Sequence, residues 1–200
     1  LTTKAIEGYA AQEQLVGGVE TLFKTSSDTV VGYANDAYKT AGMSANEYME
    51  TVTSFSASLL ASMNNDTAAA AEKANVAITD MSDNANKMGT DISLIQNAYN
   101  GFAKQNYTML DNLKLGYGGT KEEMQRLLDD ASKLSGIKYD ISSYSDVVDA
   151  IHVVQTEMGI TGTTAKEAST TIEGSVSSMS SAWDNWVAGM ADSEANFSQL

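Results

Sequence analysis

The sequence predicts an all-α fold, a multi-helix globular bundle with a long apolar loop between its central helices. Three observations carry this. The 200 residues include no proline, an absence that long helices accommodate and loop-rich folds rarely show. The pattern Ser/Thr-x-x-Glu, a helix capping box, starts at Ser44, at Thr120 and at Thr164. Between these starts apolar residues recur at helical spacing, alanine is abundant and β-branched runs are few. With 42% hydrophobic residues the chain can bury a real core, and its length suits one domain or one and a half.

From the N-terminus, Thr2 to Leu15 read as a helix with Ile6, Tyr9, Ala10 and Leu15 inward. Gly17-Gly18 weakens it, since each glycine costs about 1 kcal/mol against alanine inside a helix. Val19 to Phe23 fit either a last helical turn or an extended connection. Ser26-Ser27-Asp28 offers N-caps for a helix to Thr40, with Val30, Val31, Ala34, Ala37 and Tyr38 at helical spacing and Gly42 as its stop. The first capping box opens a helix with Tyr48, Val52, Phe55, Leu59, Leu60 and Met63 on one stripe. Asn64-Asn65-Asp66 ends it and caps a helix from Thr67 to Met88. The face of that helix is Ala70, Ala74, Ala77, Ile78, Met81, Ala85 and Met88, small enough for neighbours to approach to about 8 Å.

Gly89-Thr90-Asp91 precedes a helix carrying Ile92, Ile95, Tyr99 and Phe102. The loop after it is dense in large apolar residues: Tyr107, Met109, Leu110, Leu113, Leu115 and Tyr117. Left in water, each would forgo roughly 1.5–3 kcal/mol, so the segment should dock on its own domain or on a partner. Met109, Leu110, Leu113 and Tyr117 fall on one side of a short helical turn, with Asp111, Asn112 and Lys114 on the other. Gly116, Gly118 and Gly119 would then turn the chain through positive φ into the Thr120 cap. Met124, Leu127, Leu128, Ala131 and Leu134 follow on the next helix. Ser135 to Ile141 reads as a linker or a minor strand. Tyr144 to Met158 is a helix presenting Val147, Val148, Ile151 and Val154. After the third capping box come Ala168 and Ile172. Val176, Met179, Trp183, Trp186, Val187 and Met190 then form a final amphipathic helix, with a frayed tail from Asp192. Residues 1–134 read as the main helical domain and 135–200 as a C-terminal helical part packed on it as one unit. The start at Leu1 and the end at Leu200 read as those of an internal fragment.

Twelve basic residues against 26 acidic ones leave a net charge of −14. No basic cluster interrupts it, so direct nucleic-acid binding and contact with anionic membranes are both disfavoured. No apolar run approaches the ~18 residues of a membrane span. Without cysteine there is no disulfide and no thiolate metal site. The single histidine, His152, cannot form a metal set with other histidines and has no Gly-x-Ser-x-Gly elbow beside it; it reads as a partly buried helix residue. Glu122-Glu123 and Asp129-Asp130 point about 100° apart on a helix and do not converge on a substrate. Gly116-Tyr117-Gly118-Gly119 lacks the Lys-Ser/Thr of a phosphate loop and reads as helix entry. No catalytic, cofactor-binding or metal residue is therefore assigned. The candidate docking residues are Tyr107, Met109, Leu110, Leu113 and Tyr117 of the loop, and Trp183 and Trp186. The tryptophans share a helix face and fit equally a partner anchor, a closing element of the core or a face toward the rest of a longer protein.

The stretch from Phe102 to Thr120, FAKQNYTMLDNLKLGYGGT, resembles a hallmark of phage tail tape measure proteins of long, non-contractile-tailed phages and prophages of Gram-positive bacteria. Val19 to Phe23, Thr40 to Met49 and Met81 to Thr90 are similar to the same family. The resemblance implies a structural protein in the lumen of the phage tail, whose length sets tail length and which leaves on genome delivery. It implies as partners the tail tube (major tail) protein, the tail assembly chaperones and the remainder of the tape measure chain. It implies residence in the virion, and in the host cytoplasm during assembly. It supplies no catalytic residues. The alternative is an enzyme domain attached to such a protein, a peptidoglycan hydrolase or peptidase.

Overall fold

A computed structural model describes residues 3–170 and 178–189. The fold is all-α, with no strand among the described residues. Its helices are α1 (Thr3–Phe23), α2 (Ser27–Thr40), α3 (Ala45–Ser62), α4 (Thr67–Met88), α5 (Ile92–Phe102), α6 (Lys121–Ser135), α7 (Tyr144–Glu157) and α8 (Thr163–Thr170), followed by α9 (178–189). The centre is α4, which packs on α1, α2, α3, α5, α7 and α8, while α6 lies against α7. One apolar cluster runs from Val19 to Ile160.

Helix α1 does not stop at Gly17-Gly18. It continues to Phe23, so Val19 to Phe23 are helical, with Val19 and Phe23 fully buried. A Cβ on Gly18 would already sit 3.6 Å from the Thr53 methyl of α3. The helices therefore leave room for a methyl at this position, and the helix runs through both glycines because Val19 and Phe23 beyond them are buried in the core. The Ser26 cap does not form: Lys24–Ser26 is a 3-10 turn leading straight into α2, which leaves Ser26 outside the extended conformation a cap requires. Its hydroxyl pairs instead with Thr67 Oγ1 at the start of α4, at 2.9 Å.

Helix α3 opens with the full capping box: Ser44 Oγ accepts from the Glu47 amide at 3.3 Å and Glu47 accepts from the Ser44 amide at 2.9 Å. Tyr48, Val52, Phe55, Leu59 and Leu60 of its stripe are buried, with Met63 packed at the edge. Asp66 caps α4 at the Ala69 amide, and Gly89, at φ +63°, closes its far end. The alanine face of α4 is interior as far as Met81, while Ala85 and Met88 are half-buried.

The segment between α5 and α6 is docked on its own chain. Leu110–Leu113 forms a 3-10 turn with Leu110 and Leu113 fully buried, and Tyr107 and Leu115 are buried beside them. Met109 and Tyr117 are half-buried against the same core, and Asp111 and Lys114 are exposed. Tyr107 stacks on Phe102 with ring centroids 6.1 Å apart, and its hydroxyl donates to the Ile141 carbonyl at 2.9 Å. Of the glycines expected to turn the chain, only Gly116 takes positive φ, at +86°. Gly119 is needed for a different reason: a Cβ there would lie 2.2 Å from the Thr108 carbonyl oxygen. Lys114 itself adopts φ +54° and its ammonium reaches the Met88 carbonyl at the end of α4, at 3.1 Å.

The Thr120 capping box is half made. Thr120 Oγ1 accepts from the Glu123 amide at 3.2 Å, but the Glu123 carboxylate turns to the Gly118 amide at 2.9 Å and to Arg126. The backbone between α6 and α7 forms no minor strand. It is held by polar turns, with the Asp140 amide donating to Asp146 and the Ser142 amide to Asp140, each at 2.8 Å. The Thr164 capping box is absent, because α8 starts one residue earlier and places Thr164 inside its first turn. Side chains before Ala10, including Ile6 and Tyr9, lie outside the described residues, as do Ile172, Val176, Met190 and the tail from Asp192.

Leu113→Ala is expected to cost about 2–5 kcal/mol, the range for truncating a buried leucine. Asp111→Ala, on the exposed side of the same turn, should cost under about 0.5 kcal/mol. Denaturant unfolding of both variants measures the contrast. Lys114 cannot serve as the neutral control, since its side chain reaches the end of α4.

Candidate functional site

The polar groups that α4 carries inward form the densest side-chain network in the molecule. Asp80, Asp83 and Asn84 lie at i, i+3 and i+4, so they share one helix face. All three are buried, at 1%, 0% and 0% exposure. Together they are bonded to α7, to the start of α8 and to the central segment.

Asp83 caps α8 from a distance in sequence. Its Oδ2 accepts from the Gly162 amide at 2.6 Å and its Oδ1 from the Thr164 amide at 2.8 Å. The free amides of a helix N-terminus carry partial positive charge, which suits a carboxylate. The Thr163 hydroxyl adds a bond to the Asp83 carbonyl at 3.3 Å. Asp83 thus takes the Thr164 amide, the donor that the Glu167 side chain would bond in a capping box, while the Thr164 hydroxyl has no partner among the described residues.

Asn84 ties α4 to both α7 and the central segment. Its Nδ2 donates to Gln155 Oε1 at 2.6 Å and to the Leu113 carbonyl at 3.0 Å. Gln155 returns to the Asp80 carbonyl at 3.3 Å.

Asp80 faces His152 of α7, whose Nδ1 lies 2.9 and 3.0 Å from its two carboxylate oxygens. Burial pushes the Asp80 carboxyl above its ordinary value of 3.8, and the His152 bond offsets this only in part. His152 rises above 6.5, chiefly because of the hydrogen bond to Asp80, with Asp149 and Asp83 adding to it and partial burial opposing it. Asp149 is itself paired with Lys73 of α4. The imidazole is held by Nδ1 at the edge of the interface, with its side chain 39% exposed. A carboxylate-oriented histidine is half of an acid–base relay. In His152 the oriented nitrogen is Nδ1, which faces both carboxylate oxygens of Asp80. Among the described residues no group of three or more His, Cys, Asp or Glu could hold a metal ion.

A second feature is an open cleft of about 650 Å³ where α3, α5 and α8 approach one another. Glu47, Glu50, Gln96, Asn97 and Asn100 stand on its walls, and no Lys, Arg or His lines it. Gln96 is bonded to Thr51 and Asn100 to Ser54, so its amides serve helix contacts.

The glycine turn before α6 is closed to anions. Glu123 occupies the Gly118 amide, and Arg126 binds Glu123 and the Gly116 carbonyl. The Arg126 bond, followed by the Gly118 amide, holds the Glu123 carboxyl down to about 2. Arg126 also lies over the Tyr117 ring at 4.3 Å, and the Tyr117 hydroxyl bonds Asp130 at 3.1 Å. This is helix entry, as expected.

Of the candidate docking residues, Tyr107, Leu110 and Leu113 are core, and Met109 and Tyr117 pack at its border. Their partner is this chain. Trp183 and Trp186 are brought together, with ring centroids 4.6 Å apart, and both face outward. The two sets are separate. Sequence reading missed Asp80, Asp83, Asn84 and Gln155, because their partners lie 29 to 81 residues away. No protein family, curated protein or solved structure compared with this chain matches it.

The His152–Asp80 bond exists only in the folded state. It therefore contributes in full below about pH 6.5 and is lost as pH rises through the higher folded-state value of His152. The raised Asp80 acts in the same direction. NMR titration of the single histidine should give a midpoint above 6.5, and the urea midpoint should fall on the alkaline side of it. His152→Gln should flatten that slope. Asp83→Ala, which removes the buried acceptor of the Gly162 and Thr164 amides, is expected to cost about 1–3 kcal/mol and to speed hydrogen exchange of the α8 amides.

Proposed function

We propose that this chain is a structural segment of a phage tail tape measure protein. The observation that carries the reading is where the four resembling runs fall in the fold. Val19 and Phe23 of the first run are fully buried. The second run buries Met43, Ala45, Tyr48 and Met49. The third supplies Met81, Asp83 and Asn84, and the fourth is the docked segment that Asn84 holds through the Leu113 carbonyl. The residues that carry the resemblance are spent on joining helices, as suits a protein whose work is mechanical.

In this reading the segment resides in the tail lumen of the virion, and in the host cytoplasm while tails assemble. Its partners are the tail tube protein, the tail assembly chaperones and the remainder of the tape measure chain. Net charge −14 disfavours the packaged genome as a direct ligand, because no cation cluster is present to release counterions from phosphate.

Mass spectrometry of purified tails from the encoding phage or prophage should recover peptides of this chain. An in-frame deletion of the segment should shorten the tails seen by electron microscopy. The shortening is bounded by about 300 Å, the span of a continuous helix of this length at about 1.5 Å per residue. Tails of unchanged length would overturn the assignment. So would a lysis band from the purified protein on a cell-wall zymogram, the result expected of an attached peptidoglycan hydrolase.

A further inference from the structure

Four helices turn mostly polar stripes toward the open cleft. On α3 the stripe is Glu47, Glu50, Thr51 and Ser54, and on α5 it is Ser93, Gln96, Asn97 and Asn100. Each set runs i, i+3, i+4 and i+7, which is one face of a helix. Helix α4 adds Ser82, Ala85 and Asn86 at i, i+3 and i+4, and α8 adds Thr164, Glu167 and Ala168 at the same spacing. The volume of about 650 Å³ falls within the roughly 300–1,000 Å³ of small-ligand sites.

Ser82 separates this lining from an ordinary solvated face. It lies on the cleft side of α4, is only 5% exposed, and its hydroxyl has no hydrogen-bond partner among the described residues. Serines and threonines inside helices commonly return the hydroxyl to a carbonyl of the preceding turn. Thr53, Ser54 and Ser56 of α3 and Thr79 of α4 all do so. Ser82 does not. The Thr164 hydroxyl on α8 is likewise buried and unpartnered. Gln96 and Asn100 brace α5 on α3, whereas the side chains of Glu50, Asn86 and Asn97 make no hydrogen bond among the described residues. Buried polar groups are normally paired, so unpaired ones on a concave wall point to a group that enters the cleft.

The lining selects the ligand. With no Lys, Arg or His among the described residues that line it, an anion finds no counter-charge. Glu47, Glu50 and Glu167 bring carboxylates, and a cleft of one sign concentrates ions of the other. No group of three His, Cys, Asp or Glu among the described residues could hold a metal ion. No aromatic ring among them lines the cleft, so a quaternary ammonium has no cage. What remains is a cation that donates N–H bonds, an ammonium or a guanidinium, whose protons suit carboxylate, amide and hydroxyl oxygens. Met43, Ala85, Ile92 and Ala168 give its alkyl chain an apolar surface to lie on.

We propose that the cleft binds an alkylammonium or alkylguanidinium chain, with Glu50, Asn97 and Ser82 accepting from its charged head. The chain belongs either to a free polyamine or to a lysine or arginine side chain of a peptide. The proposal stands apart from the tape measure reading, since the chemistry of the cleft carries it.

Isothermal titration calorimetry of the purified chain gives the test, with spermidine in one arm and a tetralysine peptide in the other. At about 0.15 M salt, where diffuse attraction is screened, saturable one-to-one binding is expected. Binding of spermidine supports the proposal and assigns the site to a free polyamine. Binding of the peptide alone supports it and assigns the site to a partner's side chain. In NMR spectra the side-chain amide resonances of Asn97 should move during the same titration. Glu50→Gln should weaken binding about tenfold, as loss of a charged hydrogen bond does. Ser82→Ala should weaken binding about fivefold without lowering the unfolding midpoint, because the hydroxyl has no partner in the free protein. Glu122→Gln removes the same charge from the exposed face of α6 and should leave binding unchanged. No saturable binding in either arm would overturn the proposal. So would a Glu122→Gln loss equal to that of Glu50→Gln, the mark of diffuse attraction to an acidic surface, or unchanged affinity in both Glu50→Gln and Ser82→Ala.

Discussion

The arrangement of this bundle depends on the charge and amide groups that α4 takes out of water. A buried carboxylate without partners costs several kcal/mol, so Asp80 and Asp83 cannot sit in the interior until their donors arrive. Those donors come from α7 and from the start of α8, and Asn84 adds the central segment. Each neighbour is needed to satisfy a group that the others leave unsatisfied. The network thereby specifies one placement of α7, α8 and the segment, which apolar contact alone, being non-directional, would leave less defined.

The other half of α4 uses a different device. Ala70, Ala71, Ala74 and Ala77 are all buried and present almost no side-chain bulk. Neighbouring helices can approach closely there, and the larger residues of α3, such as Phe55 and Leu59, complete the interior. One helix thus joins a closely packed apolar end to a hydrogen-bonded polar end. The docked segment spans the polar end, where Asn84 grips it at Leu113 and Lys114 reaches back to the last turn of α4.

The one histidine is held by a buried carboxylate at a helix interface, where it bridges α4 and α7. The glycine turn that could have received an anion is filled by Glu123 and Arg126. The outward stripe of Met179, Trp183 and Trp186 on α9 differs in character from the polar interior of α4.

Where a local signal met no competing partner, the sequence alone determined the outcome. Helix α4 begins and ends at Thr67 and Met88 because Asp66 can cap its own next turn and Gly89 can adopt the left-handed backbone that ends a helix. The Ser44 box closes because both partners lie within four residues. The composition of the segment from Tyr107 to Tyr117 required that it dock somewhere, and the packed helices decided that its partner is this chain. Tertiary structure decided the rest. Whether α1 survives its glycines depended on the core that buries Val19 and Phe23 beyond them. The Thr164 amide goes to Asp83, a residue 81 positions earlier, which the pattern around Thr164 does not reveal. Gly119 is glycine because the Thr108 carbonyl passes over it, which turn chemistry does not reveal. The tryptophans face outward because the small polar side of α9 found hydrogen bonds at Tyr38 and Ala45. Periodicity shows that a helix has an apolar face; only the positions of the other helices decide whether that face meets its own core.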